Sequence, residues 1–95
     1  MAQLELNEPV QVLVDFRPAR VGGVNPTASR RVHAIPRAFI WKNRRYLINS
    51  LNLVHKQKEG DALIYYFSVS TATNTYKLAF NNLTLEWHLV EIWNE

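Results

Sequence analysis

Residues 37–48 read Arg-Ala-Phe-Ile-Trp-Lys-Asn-Arg-Arg-Tyr-Leu-Ile, a run that can bury its aromatic side chains only as a β-hairpin. Phe39 and Trp41 alternate with Ala38, Ile40 and Lys42, the period of two of a half-buried strand. The pattern predicts a two-residue turn at Asn43-Arg44, because Asn tolerates the positive φ that such turns require. That turn sets Trp41 opposite Tyr46 and Phe39 opposite Ile48. One face of the hairpin then carries four large apolar side chains and has to be covered. The same turn sets Lys42 opposite Arg45, with Arg37 and Arg44 close by, a like-charge pairing that an anion between the two would relieve.

The rest of the chain follows the same period. Residues 1–8 read as a polar lead-in or as an extension of the first strand through Leu4 and Leu6, and Pro9 suits a strand start. Val10, Val12, Val14 and Phe16 form one apolar face of a first strand. Residues 17–36 hold three prolines, two glycines and four arginines with no period, and read as a long loop ending in a short strand at Val32–Ile35. The opening hairpin supplies strands two and three, the third running on through Asn49–His55 with a bulge near Ser50–Asn52. Residues 55–61 are a polar connection with Gly60 as its turn residue. Ala62–Ser70 is a fourth strand, apolar on both faces near its start, and residues 71–75 are a loop. A turn at Asn81-Asn82 joins the last two strands, with Phe80 opposite Leu83, Leu78 opposite Leu85, Tyr76 opposite Trp87 and Lys77 opposite Glu86. The last strand continues through Leu89 towards Ile92 and Trp93.

No window has a helical period. The expectation is a single all-β domain over residues 1–95, with about six mostly antiparallel strands in a meander. Its apolar face carries Val12, Val14, Phe39, Trp41, Tyr46, Ile48, Phe67, Val69, Tyr76, Leu78, Leu85, Trp87 and Leu89. The sheet must curl into a small barrel or roll, or pair with a second copy, to cover that face. A monomer and a homodimer both satisfy this.

The order of these aromatics resembles a small uncharacterised bacterial β-domain family. The residues that carry the likeness are Phe39-x-Trp41-x-Asn43-Arg44-Arg45-Tyr46-x-Ile48, then Tyr66-Phe67-x-Val69, Tyr76-x-Leu78 and Trp87-x-Leu89. The likeness covers roughly residues 9–92. The family stands alone or is appended to inactive paralogues of translesion DNA polymerases, and it has no established activity. The resemblance implies nucleic acid or a DNA-repair protein as partner. Two departures stand out: Asn43 lies where the family usually has Gly, and the 17–36 loop is longer than usual.

Charge points the same way. Ten of the eleven basic residues fall between residues 16 and 58, a stretch with no acid at all. Such asymmetry suggests an anionic partner. The candidate nucleic-acid contacts are Arg17, Arg20, Arg30 and Arg31 on the long loop, and Arg37, Lys42, Arg44 and Arg45 on the hairpin. With no cysteine there is neither a disulfide framework nor a thiolate site, and no apolar run approaches a membrane span, so the expected location is the cytoplasm. His33, His55 and His88 lack ligand spacing, Asp15 and Asp61 form no motif, and Gly22-Gly23 lacks the residues of a phosphate loop. The expectation is therefore a non-enzymatic module with no cofactor and no metal. It binds nucleic acid, or alternatively docks another protein, for instance by strand addition at an exposed sheet edge.

Overall fold

A computed structural model of the protein describes residues 2–18 and 32–94. Those residues form eight strands and no helix. All pairings are antiparallel, so the all-β expectation holds, but the six-strand roll becomes two sheets packed face to face. The first sheet contains β1 (Ala2–Pro9), β5 (Ser50–Glu59), β6 (Ala62–Ser70), β7 (Asn74–Asn81) and β8 (Trp87–Asn94), in the order β1-β8-β7-β6-β5. The second contains β2 (Gln11–Pro18), β3 (Val32–Trp41) and β4 (Arg44–Leu47), in the order β2-β3-β4. Both keep the expected meander, and β1 returns to lie beside β8. Among the described residues no ladder closes the two sheets into a barrel.

The extra strands arise at two corners. Residues 1–8 were expected as a lead-in; Ala2–Pro9 instead pairs with β8, and the chain changes sheet at Val10. The Val10 amide still donates to the Trp87 carbonyl at 3.0 Å, so the corner remains tied to the first sheet. The expected third strand is likewise two strands, β4 and β5. Ile48 N donates to Arg37 O at 2.9 Å in one sheet, and Asn49 N donates to Ser70 O at 2.7 Å in the other. The expected bulge is present, between Leu51 and Leu53 on β5. The polar run 55–59, expected as a connection, extends β5 to Glu59, where Gly60 turns at φ 60°. On the other side, Arg17 and Pro18 end β2 and Val32–Pro36 open β3, so strand pairing takes both ends of the expected long loop.

Two expected registers shift. The first hairpin turns at Lys42-Asn43, with φ 53° and 61°, the two positive values of a type I′ turn. Trp41 therefore pairs with Arg44 and Phe39 with Tyr46, and Lys42 sits in the turn rather than opposite Arg45, whose partner is Ile40. The expected turn at Asn81-Asn82 is a wider loop. Asn81 Oδ1 accepts from the amides of Leu83 (2.8 Å) and Thr84 (3.2 Å), and Leu85 takes φ 62°. Phe80 consequently pairs with Trp87 and Leu78 with Leu89, and beyond a bulge Lys77 pairs with Glu91 and Tyr76 with Ile92. Leu85 was expected in the core; it lies in this loop, 69% exposed.

The core fills the space between the sheets. Phe67, Val69, Tyr76, Leu78, Leu89 and Ile92 of the first sheet meet Phe39 of the second. Val12, Trp41, Tyr46, Ile48, Phe80 and Trp87 pack around them. Phe39 stacks on Tyr46 at 4.9 Å and meets Tyr76 edge-on at 5.0 Å. Among the described residues no polar or charged side chain is buried, which leaves their charged groups on the surface and in the clefts.

Candidate functional site

The expected basic patch divides when placed on this fold. Arg17 is the next-to-last residue of β2, paired with His33. Arg20, Arg30 and Arg31 lie outside the described residues. Arg37 is on β3, where its guanidinium donates to Asp15 Oδ2 at 3.3 Å, so a carboxylate already neutralises it. Lys42, Arg44 and Arg45 are exposed at the tip of the β3–β4 hairpin. The Pro18–Val32 pair lies at one end of β3, and the Lys42-Asn43 turn lies at the other. Nine strand steps of about 3.3 Å separate them by about 30 Å. The structure thus holds Lys42, Arg44 and Arg45 together at the tip, with Arg17 at the opposite end of the ladder.

The tip has a cleft beside it. A space of about 300 Å³ is lined by Leu4, Trp41, Arg44, Tyr46, Thr73, Asn74, Tyr76 and Ile92. Type I′ pairing puts Arg44 on the inward face beside Trp41, which is why a cation reaches a wall otherwise made of aromatic rings. Lys42 folds back so that its Nζ lies 4.8 Å from the Trp41 ring centroid, a cation–π contact that leaves the ammonium in solvent. Trp41 Nε1 donates to Glu8 Oε1 at 2.9 Å, tying the hairpin to β1 of the facing sheet. Asn74 Nδ2 donates to the Tyr76 hydroxyl at 3.2 Å on the far wall. Among the described residues, no carboxylate lies within ion-pairing distance of Lys42, Arg44 or Arg45.

A second group, on the outer face of the five-stranded sheet, escaped sequence reasoning. His55 stacks on Tyr66 at 4.9 Å, and Lys77 Nζ lies 5.2 Å from the same ring centroid. Lys77 pairs with Glu91 at 3.8 Å, and Trp93 Nε1 donates to Glu91 at 3.0 Å. Trp93 is half-buried, and this bond fixes its indole against the sheet. A hairpin closed at Gly60-Asp61 sets His55 opposite Tyr66, so the signal was present in the sequence; treating residues 55–61 as a connection hid it.

Tyr66 also supplies a pH-sensitive group. Its phenol is raised above the ordinary tyrosine value, first by burial and then by the charge and hydrogen bond of Glu59, whose carboxylate lies 3.5 Å away. A phenol raised in the folded state binds its proton more tightly there than in the unfolded chain. Its contribution is complete below the ordinary value of about 10 and is lost as pH rises through the folded-state value. In a phenolate absorbance titration Tyr66 should therefore ionise late, and Glu59→Gln should bring its ionisation closer to ordinary. Tyr66→Phe should remove this component of the alkaline loss of stability in parallel urea titrations.

Among the described residues no cluster of histidine and carboxylate side chains could hold a metal ion. Taken together, the fold and its tip define a small two-sheet, all-antiparallel β domain with a cationic hairpin beside an aromatic cleft. Comparison with protein-family models, with curated proteins and with solved structures gives no match for this chain.

Proposed function

We propose that this protein is a non-catalytic binding module that contacts nucleic acid through the tip of the β3–β4 hairpin. The observation that carries the proposal is the set of three exposed cations, Lys42, Arg44 and Arg45, without a carboxylate partner among the described residues and next to a cleft walled by Trp41, Tyr46 and Tyr76. Cations within four residues of one another suit consecutive phosphates, and the cleft offers ring faces on which a base can stack. The resemblance to a domain appended to inactive translesion-polymerase paralogues supports the same reading, with an accessory role in bacterial DNA repair as its setting.

The contact is small, so binding should be weak, sequence-tolerant and dependent on salt. Three neutralised phosphates correspond to a log–log slope of about −2 to −3. Arg44→Ala with Arg45→Ala should flatten that slope by about 1.5 and weaken binding at every salt concentration. Both residues are exposed on a short strand, so the double variant should stay folded. Fluorescence anisotropy with labelled single- and double-stranded DNA at several salt concentrations measures both quantities. Absence of binding by either form at about 100 μM in low salt, a typical non-specific range, rules the proposal out.

A further inference from the structure

The five-stranded sheet ends at β5, and among the described residues that edge is unpaired. All ten residues of β5 are exposed, and its ladder runs only to β6. Among the described residues nothing pairs with its other edge, which leaves a row of backbone donors and acceptors in solvent. On the inner side of the same edge runs a groove of about 600 Å³, whose walls include Phe16, Ile35, Leu51, Val54 and Phe80. Phe16 is 64% exposed and Val54 43%, high values for apolar side chains facing the interior of a two-sheet domain. The groove exists because three strands face five, and the β2–β3 arm does not reach across to β5.

Edge and groove are continuous, since Leu51 and Val54 belong to both. Lys56 and Lys58, opposite Tyr65 and Leu63, follow Val54 along the same face of β5. Both lysines are exposed, and neither meets a carboxylate among the described residues. We propose that the free edge of β5 takes up an extended segment of another protein as an added strand. Alternate apolar side chains of that segment enter the groove, and acidic side chains beyond them face Lys56 and Lys58. Main-chain pairing supplies the affinity and the groove supplies the choice of side chains. A second copy is the weaker occupant, because β5 against β5 gathers four lysines along one seam with no acid on that face. This surface lies apart from the hairpin tip and stands whether or not the tip binds nucleic acid.

The test is selection of a random ten-residue phage-displayed peptide library on the immobilised full chain, followed by anisotropy titration of the selected peptides. The expected result is enrichment of alternating apolar residues with Asp or Glu towards one end. Lys56→Glu with Lys58→Glu should weaken the selected peptides at least tenfold. Phe16→Ala should weaken them several-fold, and Arg44→Ala with Arg45→Ala should leave them unchanged. All these positions are exposed, so the variants are expected to fold, as circular dichroism will verify. Methylating alternate backbone amides on the pairing side of a selected peptide should abolish binding. The proposal is overturned if no peptide is enriched, if the methylated peptide binds as well as its parent, or if the Arg44/Arg45 variant alone loses binding. It is also overturned if the free chain sediments as a dimer that Phe16→Ala dissociates, since β5 would then be a contact between copies.

Discussion

Phe39→Ala should remove a large share of the stability of this fold. Phe39 is fully buried at the centre of the three-stranded sheet, opposite Tyr46 on one side and Val12 on the other. It stacks on Tyr46, meets Tyr76 edge-on and so joins the two sheets through one aromatic cluster. Truncating a buried phenylalanine costs about 3–5 kcal/mol, from lost transfer energy and from the cavity left behind. A small domain has only about 5–15 kcal/mol in total. At roughly 4–8 °C per kcal/mol for a chain of this size, the melting temperature should fall by about 12–40 °C. Phe39→Leu keeps most of the volume and should cost less than about 1.5 kcal/mol. Chemical denaturation followed by tryptophan fluorescence measures both variants. A Phe39→Ala cost under about 2 kcal/mol contradicts the assignment of Phe39 as the residue that joins the sheets.

Trp41→Ala should be the next most damaging change, at about 3 kcal/mol. Trp41 is only half-buried, which places it towards the low end of the range for large aromatics. It contributes in two separable ways: its ring packs against the core cluster, and its indole nitrogen donates to Glu8 across the gap between the sheets. Hydrogen bonds to charged groups contribute about 1.5–3 kcal/mol, less where water can replace the partner. Trp41→Phe keeps much of the packing and loses the bond, so it should cost about 1–2 kcal/mol. Glu8→Gln keeps an acceptor without the charge and should cost less. A double-mutant cycle between positions 8 and 41 isolates the bond, and a coupling indistinguishable from zero rules it out. Because Trp41 also walls the cleft, Trp41→Ala should weaken nucleic-acid binding among the molecules that remain folded, while Trp41→Phe should largely preserve it.

Alternation along each strand determined the faces. Phe39, Trp41, Tyr46, Phe67, Val69, Tyr76, Leu78 and Leu89 were all readable as one apolar surface, because side chains on a strand alternate whatever the strand pairs with. The same rule explains why the registers could be wrong without disturbing that surface. The first hairpin differs from expectation by two residues, and the last differs by four before its bulge. Even shifts keep every side chain on its own face; beyond the bulge the shift is five, and the extra residue Val90 is what keeps Tyr76 and Ile92 on the core side. Leu85 is the instructive exception: it carries the right period, yet the hydrogen bonds of Asn81 draw it into a loop. A turn is decided by a few polar contacts and positive φ values, which periodicity does not encode.

Partition into two sheets was not legible in the sequence. Val10 and Ile48-Asn49 look like ordinary positions within strands, and only the tertiary structure shows that a strand can leave one sheet there and enter the other. Those two corners decide where the charges go. Along the sequence the basic residues form one acid-free stretch, but pairing of Asp15 with Arg37 removes one of them from the set. The length of β3 then separates Arg17 and its partner His33 from the hairpin tip by about 30 Å. The open edge of β5 and its groove follow from the same unequal division, three strands against five. Local pattern therefore determined what each strand buries, because that depends on neighbours in sequence. Long-range packing decided which cation a carboxylate neutralises and which strands become sheet edges, because both depend on neighbours in space.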